Sequence, residues 1–142
     1  DREKGTWKAA SSPPQPESGL RLGSILNIAI DFDGSPWVSY LACGGASCSV
    51  VYLYVYQNDQ WQLLDTGGVE LYNARVVFDV TGQPWVFTSG AGICQVSDGK
   101  LVTVAEIESG RVTRDDSTGY IWFTGSQNGE PEMVWVLESA AP

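Results

Sequence analysis

The alternation of apolar and polar residues along this chain predicts β-strands throughout. Residues 50–56 read VVYLYVY, with Tyr at every second position and Val or Leu between. A period of two places successive side chains on opposite faces of a strand, and β-branched and aromatic residues favour strands. No stretch of useful length carries the 3.6-residue period of a helix. The sequence therefore predicts an all-β fold.

Eleven strand-like runs fall into three groups, separated by turn residues. The first group is predicted at residues 25–32, 37–42, 50–56 and 61–64, the second at 74–79, 85–88, 92–97 and 100–107, and the third at 111–115, 122–125 and 132–137. The third group has only three members. A further short strand is predicted at residues 5–10, followed by a Pro-rich connection of extended character at residues 11–19.

A turn motif recurs between the first two strands of each group. Its pattern is Asp-x-x-Gly-x-x-Trp, in which Asp bonds the backbone two residues on and Gly accepts a positive φ. The motif positions are Asp31, Gly34, Trp37, Asp79, Gly82, Trp85, Asp116, Gly119 and Trp122. We expect three equivalent hairpin corners, with each Asp capping its own turn and each Trp packed between neighbouring sheets.

Groups of four strands repeating at about 40 residues are typical of β-propeller blades. The predicted blades span residues 24–66, 74–107 and 110–138 of a single domain, residues 1–142. A β-sandwich is the alternative all-β fold, but it does not require the corner to recur in phase with the strands.

The corner motif resembles the repeat of the two-component-regulator propeller family, in which it joins the first two strands of a blade. Residues 89–101, SGAGICQVSDGKL, resemble the Gly-rich third-strand segment of that repeat. The motif is also similar to the Asp-box of sialidase-type propellers, a second choice because its Asp–Gly spacing differs. The first resemblance implies an extracytoplasmic sensor or binding module, a class in which several members bind glycans.

Charge and composition remove several function classes. The formal net charge of −9 disfavours nucleic acid and anionic membrane surfaces as partners. The absence of His removes Ser-His-Asp and Cys-His catalysis and imidazole metal sites. No apolar run approaches the ~20 residues that span a bilayer. Because the chain begins at Asp1, it is expected to be a mature or trimmed product.

Three cysteines bear on the compartment. Cys43 and Cys48 bracket Gly-Gly-Ala-Ser between two predicted strands, so a local disulfide is predicted if the compartment is oxidising. Cys94 is predicted to be a small buried residue with a free thiol. Three cysteines without His do not make a convincing zinc site, so no metal or cofactor is expected. A secreted, periplasmic or cell-surface location follows from these expectations.

Candidate ligand-binding and catalytic residues are few. Tyr40, Tyr72 and Tyr120 lie near predicted strand ends or loops, where an aromatic ring with a polar tip suits a ligand. A glycosidase would need two carboxylates across a cleft, for which Asp115 with Asp116 or Glu106 with Glu108 are the available pairs. Nothing in the sequence places either pair in a cleft.

The missing fourth strand of the third group predicts assembly. Residues 3–8, EKGTWK, resemble residues 58–62, NDQWQ, which hold the turn and fourth strand of the first group. The N-terminal strand with Trp7 is therefore predicted to complete the last blade of another chain. Two chains would form a homodimeric ring of six blades and remove an exposed sheet edge. The rival interpretation is a fragment whose remaining blades lie in another polypeptide.

The leading functional interpretation is a non-enzymatic extracellular module for binding or assembly, with a glycan or a protein as ligand. A structural subunit of an extracellular assembly is the alternative. A glycan-active enzyme is the outside possibility.

Overall fold

The computed structural model describes residues 11–16, 19–44 and 47–137, in which all regular secondary structure is β-strand. This confirms the all-β prediction. The strand predicted at residues 5–10, with Trp7, lies outside the described residues.

Eleven strands form three antiparallel sheets. Sheet 1 contains β1 (Arg21–Ile30), β2 (Pro36–Gly44), β3 (Ser47–Gln57) and β4 (Gln60–Leu63). Sheet 2 contains β5 (Arg75–Phe78), β6 (Pro84–Thr88), β7 (Gly92–Ser97) and β8 (Lys100–Ala105). Sheet 3 contains β9 (Glu108–Arg114), β10 (Ile121–Ser126) and β11 (Met133–Leu137). Strands adjacent in sequence pair within each sheet, so the strand order follows the chain.

The sheets pack face to face in sequence order, and their first strands lie side by side, β1 against β5 and β5 against β9. Period-two alternation gives each sheet two faces. We call the face toward the preceding sheet the front face and the face toward the following sheet the rear face. The rear face of sheet 1 thus packs on the front face of sheet 2, and the rear face of sheet 2 on the front face of sheet 3.

The first of these junctions is an apolar cluster. It joins sheet 1 residues Trp37, Val51, Leu53 and Val55 to sheet 2 residues Val76, Phe78, Val86, Cys94 and Leu101. The Trp37 and Phe78 rings meet edge to face at 5.6 Å between centroids. Two hydrogen bonds also link the sheets. The Ser39 hydroxyl donates to the Ala74 carbonyl at 2.9 Å in a buried bond, and the Val76 N–H donates to Asn27 Oδ1 at 2.9 Å in a part-buried one.

The second junction repeats the arrangement between sheets 2 and 3. Its buried residues are Trp85, Phe87, Ile93, Ile107, Ile121 and Phe123. The rings of Phe87 and Phe123 lie 5.1 Å apart across it. The connections between sheets close both junctions, because Leu64 and Leu71 join the first cluster and Ile107 joins the second.

The two outward faces of this stack are apolar and exposed. On the front face of sheet 1, Ile28 is 57% and Ile30 56% exposed. On the rear face of sheet 3, Trp122 is 41% exposed and Val134 70%. The first and last sheets therefore present the kind of surface that is buried at the internal junctions.

The Pro-rich segment, residues 11–16, covers part of the front face of sheet 1. The Tyr54 hydroxyl donates to the Pro14 carbonyl at 2.9 Å, and the Trp61 indole N–H donates to the Ser11 carbonyl at 2.6 Å. Pro13 and Pro16 are buried. The Trp61 and Tyr54 contacts place the segment over β4 and β3, and the Leu22 N–H donates to Gln15 Oε1 at 3.0 Å where β1 begins. The other end of β1, with Ile28 and Ile30, stays exposed.

Replacing Phe87 by Ala tests the second junction. Phe87 is 2% exposed and packs against sheet 3, so its truncation should lower the free energy of unfolding by about 3–5 kcal/mol. Val104→Ala is the matched control, because Val104 is exposed on β8 and its change should stay within about 0.5 kcal/mol. Urea titration followed by circular dichroism measures both. Equal losses in the two variants would contradict this packing.

Candidate functional site

The first two corners share one hydrogen-bond pattern centred on Asp. In the first, Asp31 Oδ1 accepts from the backbone N–H groups of Asp33 at 3.1 Å and Ser35 at 2.7 Å. Its other oxygen, Oδ2, accepts from the Trp37 indole N–H at 3.1 Å. The carboxylate therefore shapes the turn and also orients the Trp that enters the first junction.

Asp79 repeats this pattern in the second corner. Its Oδ1 accepts from the N–H groups of Thr81 and Gln83, and its Oδ2 accepts from the Trp85 indole at 3.0 Å. Burial raises the pKa of this carboxyl, but the hydrogen bonds from Thr81, Trp85 and Gln83 outweigh it and hold the pKa below its usual value. Both carboxylates are engaged by their own turns, as capping residues.

In the third corner the capping residue is Asp115, and the prediction of Asp116 is wrong. The Asp115 N–H donates to the Tyr120 carbonyl at 2.9 Å, whereas in the first corner the Asp31 N–H donates to the Ser35 carbonyl at 3.0 Å. The third turn is thus one residue longer. Asp115 Oδ1 accepts from the N–H and hydroxyl of Ser117, and Oδ2 accepts from the Thr118 hydroxyl at 2.8 Å.

Trp122 occupies the same strand position as the other two motif Trp residues, but its environment differs. Trp37 pairs with Ala29, Trp85 with Val77 and Trp122 with Thr113, each opposite the penultimate residue of the preceding strand. Trp37 is 7% and Trp85 8% exposed, against 41% for Trp122. The prediction that all three pack between sheets is wrong for Trp122, because no following sheet exists among the described residues.

The corners also touch one another in sequence order. A Cβ atom on Gly82 would lie 3.3 Å from the Phe32 ring, and one on Gly119 would overlap the Val80 side chain. Phe32 and Val80 each directly follow the capping Asp of their corner. The residue after the Asp therefore packs on the glycine of the next corner, at two successive steps.

The three Tyr residues predicted to bind ligand do not come together. Tyr40 lies on the front face of sheet 1 and meets Tyr54 edge to face at 6.1 Å. Tyr120 belongs to the third corner, at the end of sheet 3 where β9 passes into β10. Tyr72 lies at the opposite end of the sheets, in the connection from β4 to β5, where its hydroxyl donates to Glu70 at 3.0 Å.

A polar cleft opens at the end of the sheets that carries Tyr72. Its volume is about 550 Å³, in the range of small-molecule sites. We call it the rim cleft. It lies between the β6–β7 and β10–β11 hairpins and is lined by Gly90, Ala91, Gly92, Thr103, Glu106, Ser126, Asn128 and Gly129. This lining offers a carboxylate, an amide and two hydroxyl groups, and contains neither a cation nor a large apolar side chain.

Tyr72 stands beside the rim cleft. A Cβ on Gly90, a residue that lines the cleft, would meet the Tyr72 ring, so the ring packs on the β6–β7 hairpin. Tyr72 also lines a second cleft of about 300 Å³, which it forms with residues 50–52, 66 and 68–71. Of the three candidate Tyr residues, only Tyr72 borders the rim cleft.

Sequence reasoning missed the rim cleft because its residues are distant in the chain. From the sequence, Glu106 stood out only as part of a pair with Glu108. The signals that could have pointed to the cleft are two Gly-containing hairpins, Ser89–Gly92 and Asn128-Gly129, in equivalent positions of consecutive groups. Asn128 and Gly129 both adopt positive φ, as a tight hairpin requires.

The cysteines are divided between a disulfide and a buried thiol. Cys43 and Cys48 form a disulfide across the β2–β3 hairpin, the sheet 1 counterpart of the hairpins beside the rim cleft. Cys94 is fully buried in the first junction, and this burial raises the pKa of its thiol. Cys94 therefore lacks the accessible thiolate that nucleophilic chemistry needs.

Across residues 11–16, 19–44 and 47–137, acidic and cysteine side chains form no group of three or more suited to hold a metal ion. The same residues contain no helix that is long and apolar enough to cross a membrane.

Asp115 predicts an acid-sensitive corner. Hydrogen bonds from the Ser117 hydroxyl and N–H and from Thr118 lower its pKa from 3.8 to about 2. Because the folded-state pKa lies below the unfolded value, its stabilising contribution is complete above pH 3.8 and is lost as the pH falls through about 2. Asp115→Asn should therefore be less stable than the parent protein at neutral pH, with a difference that shrinks towards pH 2.

Denaturant titrations between neutral pH and about pH 2 measure this difference. Asp116→Asn is the matched control, since the hydrogen bonds of the turn go to its neighbour. A larger effect of Asp116→Asn than of Asp115→Asn would contradict the placement of the corner.

Comparisons of the chain with protein-family models, with curated proteins and with solved structures give no match in any of the three.

Proposed function

We propose that this protein is a non-enzymatic, extracytoplasmic module for binding and assembly. In this proposal its three sheets are consecutive blades of a β-propeller, and two copies close a ring of six blades. The resemblance of the corner motif to the two-component-regulator repeat favours the same architecture. The Cys43–Cys48 disulfide favours an oxidising compartment such as the periplasm, the cell surface or the exterior.

The observation that carries the proposal is the unequal burial of three equivalent Trp residues. Trp37 and Trp85 each pack in a junction with the following sheet, whereas Trp122 at the same strand position is exposed. Contiguous apolar surface of this kind marks interaction sites on soluble proteins. A further sheet of the same type on the rear face of sheet 3 would bury Trp122 as the other two are buried.

The ring size follows from the number of sheets. Propellers typically contain 4–8 blades, so three sheets fall short and two copies supply six. In this proposal residues 5–10, with Trp7, pair with β11 of the second copy and complete sheet 3 as its fourth strand.

The position of Ser11 supports this role for the residues that precede it. In sheet 2, the Asp65 carbonyl accepts from the N–H of Leu101, the second residue of the fourth strand. In sheet 1, the Ser11 carbonyl accepts from the indole of Trp61, again the second residue of the fourth strand. Asp65 follows Trp61 by four residues, as Ser11 follows Trp7. Ser11 thus occupies the position of a residue in the connection that follows the fourth strand of a preceding sheet.

The rim cleft is the proposed ligand site, and its lining favours a neutral saccharide. Hydroxyl, amide and carboxylate groups suit the hydroxyls of a sugar, and the Gly residues leave the backbone open to approach. A lining without a cation does not favour phosphate or another anion, and one without a large apolar side chain does not favour an apolar ligand. A peptide ligand is the competing outcome of the binding test below.

The difference between the front and rear faces also supports the second candidate, a structural subunit. Contacts between unlike surfaces close into rings at some rotations and grow into open chains at others. Open-ended polymers in solution would favour the structural subunit over the closed binding module.

Light scattering coupled to size exclusion should give a mass of about twice 15.4 kDa. Trp122→Ala should weaken dimerisation at least about 30-fold, because truncating a central interface Trp costs ~2 kcal/mol or more. Val104→Ala, another exposed apolar residue, is the control and should leave the mass unchanged. A parent protein that stays monomeric at every concentration would overturn the ring.

Ligand binding is tested with an array of neutral oligosaccharides, followed by calorimetry on any sugar that binds. Glu106→Gln should weaken that binding about 10-fold or more, as expected when a hydrogen bond to a charged group is weakened. Glu130→Gln removes the same charge beside the β10–β11 hairpin without lining the cleft, and it should bind as the parent does. The saccharide site would be overturned by a sugar that binds Glu106→Gln as tightly as the parent protein. It would also be overturned if no sugar on the array binds while a peptide does.

A further inference from the structure

We infer that the rear face of sheet 3 docks on the front face of sheet 1 of a second copy, in the register by which sheet 1 docks on sheet 2. This inference rests on the proposed two-copy ring and specifies which residues meet at its joints. Three observations define the register: the Trp contact, the corner contact and the course of residues 11–16.

The Trp contact of the first junction identifies a partner for Trp122. Trp37 meets Phe78, the last residue of β5, which pairs with Pro84. The corresponding residue of sheet 1 is Ile30, the last residue of β1, which pairs with Pro36. Ile30 is more than half exposed, and so are Ile28 beside it and Val134 near Trp122. In the same register, Trp122 of one copy covers Ile30 of the other.

The corners provide a second, independent contact. Phe32 packs on Gly82 and Val80 packs on Gly119. In both cases the residue after the capping Asp of one corner contacts the glycine of the following corner. The residue in that position of the third corner is Asp116. Of the three corner glycines, Gly34 is the one at which an added Cβ atom would meet nothing within 4 Å among the described residues. The series therefore continues from Asp116 of one copy to Gly34 of the second.

Residues 11–16 leave the required space open. At the first junction, the connection after β4 lies on part of the front face of sheet 2 through Leu64 and Leu71, while β1 and β5 meet directly. On the front face of sheet 1, residues 11–16 cross β4 and β3 and reach the start of β1 at Leu22, and they leave Ile28 and Ile30 at the end of β1 uncovered. This uncovered end of β1 is where the first strand of a preceding sheet, β9 of the second copy, would lie.

This register makes the joint heterologous, since Trp122 and Asp116 contribute one side and Ile30 and Gly34 the other. Two such joints related by a twofold axis close the ring. The residues on the two sides are different. A joint that carries both a changed Asp116 and a changed Gly34 therefore forms only when the two variant proteins are mixed.

Cysteine pairing tests the register. Asp116→Cys and Gly34→Cys are made in separate proteins, mixed, left to exchange partners and treated with a mild oxidant. The mixture should yield a covalent dimer on non-reducing gels, and each protein alone should remain mostly uncoupled. The native Cys43–Cys48 bond and the buried Cys94 leave few competing thiols.

An intramolecular pair controls for geometry and strain. The Cβ of Val80 lies 3.2 Å from the Cβ position of Gly119. Disulfides need about 3.5–4.5 Å between Cβ atoms, so a small outward shift lets Val80→Cys and Gly119→Cys close within one chain. Gly119 and Gly34 have similar positive φ values of 73° and 84°, so both substitutions impose a comparable strain.

If this control closes and the mixture couples no better than the separate proteins, the register is wrong. A dimeric mass in that case would leave the ring itself standing. Coupling of Gly34→Cys with itself would indicate a front-to-front contact and would also overturn the register. A monomeric parent would instead refute the proposed ring on which the inference rests.

Discussion

Face-to-face burial of apolar side chains between consecutive sheets is the interaction on which the rest of this structure depends. Small sheets of three or four strands bury little apolar surface by themselves. Each aromatic or aliphatic side chain that is fully buried between sheets contributes about 1.5–3 kcal/mol to stability. Sheet 2 is covered on both faces, by Trp37 on one side and by Phe123 on the other. The corner hydrogen bonds serve this packing, because Asp31 and Asp79 hold the indoles of Trp37 and Trp85 in place.

The strands and the grouping were predictable because they depend on local chemistry. Period-two alternation in residues 50–56 identifies β3. Asp-x-x-Gly identifies a turn regardless of how the flanking strands pack. The third corner was mistaken because Asp115 and Asp116 are adjacent and spacing alone selects Asp116. The bond from the Asp115 N–H to the Tyr120 carbonyl shows that the turn has gained a residue, and the bonds of Ser117 and Thr118 identify Asp115 as the cap.

The candidate site was less predictable because it depends on how sheets meet. Glu106 and Asn128 are 22 positions apart and share the rim cleft because sheets 2 and 3 align their hairpins at one end. Tyr40 and Tyr120 looked equivalent to Tyr72 in the sequence. In the structure Tyr40 lies on a sheet face, and Tyr120 lies at the end of the sheets opposite to Tyr72. Trp122 shows the same limit, since it holds the same strand position as Trp85 while its burial depends on a neighbouring sheet.

The contact between Phe32 and Gly82 has a consequence for curvature. The residue after each capping Asp is a spacer that sets how far apart successive corners stand, and it is Phe at the first step and Val at the second. Since the glycine opposite has no side chain to yield, a larger residue in this position would push neighbouring corners apart, and a smaller one would let them approach. In the proposed ring, the size of one side chain per repeat would therefore bear on the angle between sheets, and so on the diameter of the assembly.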